Sequence, residues 1–155
     1  MAEGSLGGSE AASGPGGVPA FVAEHAHRRP RPLAVVIAAY NEEEGIGEVV
    51  AAVPASVCGL ETEVIVVVDG SDDRTAAVAR EAGALVCDMA VNRGQGAALR
   101  LGYRLARGRG ARFIATLDGD GQYHPDELAL VVGPVVAGEA DLVSGSRRLG
   151  TAHTT

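Results

Sequence analysis

Apolar residues in this chain follow two rhythms. Leu33-Ala34-Val35-Val36-Ile37-Ala38-Ala39 and Glu63-Val64-Ile65-Val66-Val67-Val68 are nearly unbroken apolar runs, the mark of strands buried on both faces. Ala84–Cys87 and Arg112–Leu117 are shorter runs of the same kind. Between them apolar positions recur at helical spacing. Ile46, Val49, Val50 and Val53 form one set, closed by Pro54, and Thr75, Val78, Ala79 and Ala82 form a second. In a third, Ala98, Leu101 and Leu105 turn inward while Arg100, Arg104 and Arg107 face water. Leu128, Val131, Val132 and Val135 make the fourth, which Pro134 should break or kink near Gly133. Asn41 reads as the N-cap of the first helix and His124-Pro125 as the start of the last. Asp141–Ser144 reads as a final short strand. Strand and helix in alternation predict an α/β domain: a mainly parallel sheet between two helical layers. Residues 1–32, mostly Gly, Ala, Ser and Pro, predict a disordered tail. The folded domain is then 33–149, with a second short tail at 150–155.

Composition narrows the function without naming it. The chain has 155 residues and a net charge of −7, which argues against a nucleic-acid binder built on a basic stripe. Its two cysteines have no metal-ligand spacing, so a reducing, cytoplasmic setting is the simplest reading. No apolar run reaches the length of a membrane span. The N-terminus lacks the basic start and apolar middle of a secretory signal.

The polar clusters fall at one end of the predicted strands, where open α/β sheets bind ligands. After the first strand come Tyr40, Asn41 and Glu42; after the second, Asp69-Gly70-Ser71-Asp72-Asp73. Asn92-Arg93-Gly94-Gln95-Gly96 opens the third helix, and helix starts attract anions. The strand at 112–117 delivers Asp118-Gly119-Asp120-Gly121-Gln122. Two carboxylates two residues apart can converge on a hard divalent cation, which in turn holds phosphates. Each cluster has a plainer reading: an acidic turn at Asp118–Asp120, capping at Asn41 and Asp72, a solvated loop at Arg93–Gly96. Known motifs fit poorly. Leu99 stands where a dinucleotide fingerprint needs its last small residue. No phosphate-binding loop with Gly-Lys-Ser/Thr occurs, and a calcium loop fails at Tyr123 and Ala129.

Taken together and in order, the segments Val35–Glu43, Val67–Thr75, Asn92–Tyr103, Leu117–Leu128 and Val143–Arg147 resemble the family-2 glycosyltransferases. Within that family they are most similar to polyprenyl- or dolichyl-phosphate sugar synthases. The resemblance covers about residues 33–149 and implies a GT-A-like, Rossmann-related nucleotide-binding sheet whose C-terminal, acceptor-side part is missing from this chain. It implies a nucleotide-sugar donor bound by Ala39, Tyr40, Asn41, Glu42, Asp69, Gly94, Gln95, Asp118 and Gly119. It implies Mg²⁺ or Mn²⁺ on Asp118, Asp120 and Gln122, with Asp120 and Arg147 as catalytic candidates and Arg147 beside an acceptor phosphate. A polyprenyl (lipid) phosphate acceptor, inversion at the anomeric carbon, no nucleic acid, peripheral contact with the inner face of the membrane and homo-oligomerisation complete the expectation. The alternative is a non-catalytic nucleotide- or metal-binding fragment. Two positions depart from the family pattern: Val68 where a second aspartate is usual, and Gln95 where Lys is common.

Overall fold

The computed structural model describes residues 17–121, 124 and 127–145. The apolar runs become β1 (Leu33–Ala39), β3 (Leu60–Asp69), β4 (Leu85–Met89) and β5 (Phe113–Asp118). They pair in parallel in the order β4–β3–β1–β5. The helices are α1 (Gly17–His25), α2 (Ile46–Ala52), α3 (Thr75–Glu81), α4 (Gln95–Arg109) and α5 (Leu128–Val136). From β1 the chain moves outward to β3 and β4, then α4 carries it back across β3 and β1 to β5. The direction of winding therefore reverses between β1 and β5. At such a reversal, adjacent loops diverge and leave a crevice at the carboxyl ends of the strands.

β1 shows why the sheet has two cores. Leu33, Val35, Ile37 and Ala39 point into the layer of α2, α3 and α5, while Ala34 and Val36 point toward α1 and α4. Side chains that alternate across a strand must be apolar throughout when both faces are covered. Val36 and Ile37 are fully buried, and burying a side chain of this size contributes about 1.5–3 kcal/mol. α4 lies close because Gly102 has no side chain: a β carbon there would sit 2.3 Å from Val36 Cγ1.

Four expectations need correction. The segment 1–32 is not a tail throughout, because Gly17–His25 is helical and covers β4. Phe21 and His25 are its buried residues, with ring centroids 4.8 Å apart, edge to face. His25 Nε2 accepts a hydrogen bond from the Val86 amide at 3.3 Å. Burial, aided by the Arg28 and Arg109 charges, outweighs the Glu24 carboxylate and lowers the His25 pKa, which keeps that acceptor lone pair available. Arg109 completes the joint. Its guanidinium grips both Glu63 oxygens at 2.9 and 3.0 Å and donates to the His25 and Arg28 carbonyls.

The second correction is a hairpin that the apolar pattern did not mark. β2 (Ser56–Val57) pairs antiparallel with Leu60 and Glu61 across a turn in which Cys58 and Gly59 both have positive φ. Third, α5 continues through Pro134 to Val136. The proline removes a single hydrogen bond, and only two residues follow it in the helix, so the loss falls in the last turn. Fourth, Asp141–Ser144 forms no strand. Leu142 is 86% exposed, and nothing among the described residues pairs with that stretch. The expected tails at 1–16 and 150–155 lie outside the described residues.

Candidate functional site

The loops after β1 and β3 are tied to each other. Asn41 takes a left-handed backbone conformation, φ 49°, which asparagine tolerates better than most residues. Its amide donates to Ser71 Oγ at 2.9 Å, and its side-chain Oδ1 accepts from the Asp72 amide at 3.1 Å. The Glu42 amide donates to Thr75 Oγ1, and Glu43 exchanges two bonds, its amide to Asp73 Oδ2 and its Oε2 accepting from the Arg74 amide. Asn41 is thus not the N-cap of α2, which begins five residues later after Gly45 with no side-chain cap. Asp73, rather than Asp72, caps α3: its Oδ1 accepts from the Thr75 amide at 2.9 Å and from the Thr75 hydroxyl. Desolvation opposes the charged form of Asp73, but these donors and the Glu43 amide outweigh it and hold the carboxyl below its ordinary range.

Asp69 ends β3 almost fully buried. Oδ1 accepts from the Arg93 amide at 2.8 Å and Oδ2 from the Gly94 amide at 2.9 Å. The carboxylate therefore holds the loop that starts α4, and the Gly94 amide, one of the expected anion donors, is already engaged. Each oxygen keeps a second lone pair for a ligand donor. Gly70 permits this crossing: a β carbon there would lie 2.3 Å from the Asn92 nitrogen.

At the end of β5, Gly119 is buried, and a β carbon on it would come within 3.3 Å of the Ala38 carbonyl oxygen. That tight seat against β1 leaves Asp118 and Asp120 exposed on either side. Both border a cleft of about 480 Å³ lined by Ala38, Ala39, Tyr40, Glu42, Asp69, Asn92, Gly94, Gln95, Asp118, Gly119 and Asp120. The structure thus brings nine of the expected residues to one place, from three strand ends and the start of α4. Asn41 is not among the lining residues, since it turns to the β3–α3 loop. Gln122 and Arg147, expected as metal ligand and catalytic residue, lie outside the described residues.

The sequence reading left out Ala38 and Asn92 from the cleft, and Ser71, Asp73 and Thr75 from its supports. Asn92 had a signal, as a polar residue directly before Arg93-Gly94. The supports had none, because their partners after β1 are 30 to 33 positions away in the chain. A second cavity, about 370 Å³, lies at the opposite end of the sheet and contains none of the expected residues.

The charge of the cleft decides what it can hold. Glu42, Asp69, Asp118 and Asp120 line it, and no Arg or Lys does among the described residues. A diphosphate entering such a cleft meets four carboxylates and no basic side chain among the lining residues unless a cation comes with it. Asp118 and Asp120 offer hard oxygen donors at an accessible strand end, the donor type that Mg²⁺ and Mn²⁺ prefer. No group of three or more metal-ligating side chains is assembled among the described residues. Two carboxylates fit an ion that takes its other ligands from phosphate oxygens and water.

Comparison with known proteins gives concordant results. The family model of glycosyl transferase family 2 matches residues 34–155. The chain is 38% identical over 122 residues to dolichyl-phosphate hexose transferase of Haloferax volcanii, covering 79% of this chain and 50% of that protein. It is 37% identical over 124 residues to dodecaprenyl-phosphate galacturonate synthase of Rhizobium johnstonii, covering 75% and 36%. Among solved structures, glucosyl-3-phosphoglycerate synthase of Mycobacterium tuberculosis, in complex with Mn²⁺, UDP-glucose and phosphoglyceric acid, matches at TM-score 0.58 and 32% identity. That match covers 79% of this chain and 44% of that one. The chain spans half or less of the length of these relatives.

Proposed function

Because the chain belongs to glycosyl transferase family 2, we propose that it forms the nucleotide-sugar half of a transferase that moves a sugar to a polyprenyl phosphate. The observation that carries this reading is the cleft at the β1–β5 reversal, lined by four carboxylates and no basic residue. In this reading Ala39, Tyr40 and Asp69 border the nucleoside, with the second lone pairs of Asp69 accepting from its base. Gly94 and Gln95 approach the diphosphate from the start of α4. Asp118 and Asp120 hold Mg²⁺ or Mn²⁺, as Mn²⁺ accompanies UDP-glucose in the mycobacterial synthase complex. A bound cation would neutralise the diphosphate and favour its departure as leaving group. Gln122 is the proposed third ligand, and Arg147 the proposed contact to the acceptor phosphate.

The relatives named for dolichyl and dodecaprenyl phosphates support a lipid phosphate as acceptor. Such a phosphate is already anionic at neutral pH, so its attack with inversion at the anomeric carbon needs no general base from this chain. Cytoplasmic donor supply and the inner membrane face follow from the same reading. No described helix is long and apolar enough to cross a membrane. Self-association through the edge of β5, which has no partner strand on its outer side among the described residues, belongs to the proposal as well.

Isothermal calorimetry with UDP and GDP, each with Mn²⁺ and with EDTA, tests the reading. Heat of binding should appear only with the cation. Equal binding in EDTA would overturn the cation role, and no binding of either nucleotide would overturn the donor site.

A further inference from the structure

The two cavities of the domain carry opposite charge. The cleft at the carboxyl ends of the strands is lined by four carboxylates. The cavity of about 370 Å³ at the other end is lined by His27, Arg28, Arg29 and Arg31, and by a single carboxylate, Glu63. In a chain of net charge −7, three arginines and a histidine within five residues invert the charge locally. An ordinary solvated connector between α1 and β1 could carry such a run. This one is fixed in place, short of counter-charges and set against an apolar floor.

Arg109 fixes its start, donating to the His25 and Arg28 carbonyls, each at 3.2 Å. The Pro32 carbonyl fixes its end, accepting from the Arg112 and Phe113 amides. Between these anchors Pro30 and Pro32 lock their own φ and disfavour helical backbone at Arg29 and Arg31. A segment held in this way loses little further freedom when it binds. The carboxylates around it are already engaged. Arg109 takes both Glu63 oxygens, at 2.9 and 3.0 Å. Glu61 pairs with Arg31 at 2.7 Å, and Glu24 on α1 pairs with Arg80 at 3.2 Å. No ion pair among the described residues engages Arg28 or Arg29, so two positive charges stand at the cavity without a counter-charge.

Val50, Val53, Val64 and Leu85 line the same cavity. An apolar lining with a few charged groups at one side is the usual make-up of a small-molecule site, and the volume lies in the range of about 300–1,000 Å³ common to such sites. The charge suits a phosphate ester, which carries close to two negative charges at neutral pH. Guanidinium groups match phosphate oxygens in geometry as well as in sign. We infer that this cavity binds a small phosphomonoester, its phosphate held by Arg28 and Arg29 and its organic part over the valines and Leu85. The site is independent of the proposed donor cleft, which lies at the opposite end of the sheet.

Calorimetry of the full chain with phenyl phosphate, in EDTA and at low salt, is the test. Without a cation the carboxylate cleft repels the same anion, so heat reports the basic cavity. One molecule should bind per chain, more tightly than inorganic phosphate does, and salt should weaken it. The double variant Arg28→Gln, Arg29→Gln should lose about tenfold or more in affinity. Its melting temperature should hold, since neither arginine makes an ion pair within the protein. Ala51→Trp, at an exposed lining position of α2, keeps the charges but fills the cavity, and should weaken phenyl phosphate more than inorganic phosphate. No heat with phenyl phosphate, or heat undiminished in the double variant, overturns the site. Inorganic phosphate binding as tightly as phenyl phosphate overturns the assignment of an ester. Heparin captured through the two arginines, with neither small probe bound, overturns the small-molecule site as well.

Discussion

On the β3 side of the cleft, carboxylates hold the protein itself; at the end of β5, they face outward. Asp69 gives one oxygen to each of two backbone amides of the next loop. Asp73 caps α3 and receives the Glu43 amide. Asp118 and Asp120, of the same chemical type and at the same end of the sheet, are exposed beside a buried glycine. A carboxylate buried with backbone donors serves mainly to fix the fold, since removing it strands those donors. An exposed carboxylate at the rim, such as Asp118, can be reached by a cation from solvent. The two sides of the cleft should therefore fail differently when cut.

Gly70→Ala should break the β3 side most severely. The new methyl would overlap the Asn92 backbone, at a position with φ of 71°, so the loops after β3 and β4 must part. A loss of about 3 kcal/mol or more is expected, read as a fall on the order of 10 °C in melting temperature. Asp69→Ala comes next. Two amides lose a charged acceptor in a buried place, which costs about 2–3 kcal/mol, and chemical denaturation should show it. An unchanged midpoint would mean that Asp69 does not brace the loop.

Asp73→Ala sharpens the comparison at a smaller scale, about 1 kcal/mol as for other lost caps. It also has a pH signature. The Asp73 carboxyl titrates lower in the folded protein than its ordinary 3.8. As pH falls below that value the unfolded chain takes up the proton first, so the stabilisation is present above it and is lost on acidification. Melting temperature against pH should fall less steeply in Asp73→Ala below about pH 4.

How much of this was legible in the sequence follows from the range of the interactions. The four parallel strands, four of the five helices and the gathering of polar residues at one sheet end were readable, because apolar periodicity and strand-end position are local signals. Asp69, Asp118 and Asp120 could be picked out by their place after a strand, but their division of labour could not, since the partners of Asp69 are 24 and 25 residues away. α1 was missed for a different reason. Only Phe21 and His25 of its nine residues are buried, and two residues are too few to lift a Gly- and Ala-rich stretch above the appearance of a tail. The hairpin at Cys58-Gly59 lacked the usual Asn-Gly or Asp-Gly sign.

The central claim is that Asp118 serves a cation and not the fold. Electron paramagnetic resonance of Mn²⁺, titrated with the chain and UDP, alongside thermal melts, measures both properties on one sample. The account predicts that Asp118→Asn weakens UDP-dependent Mn²⁺ binding by about tenfold or more, with a melting temperature close to that of the parent chain. Undiminished Mn²⁺ binding in this variant, or a fall in melting temperature comparable to that of Gly70→Ala, would contradict it.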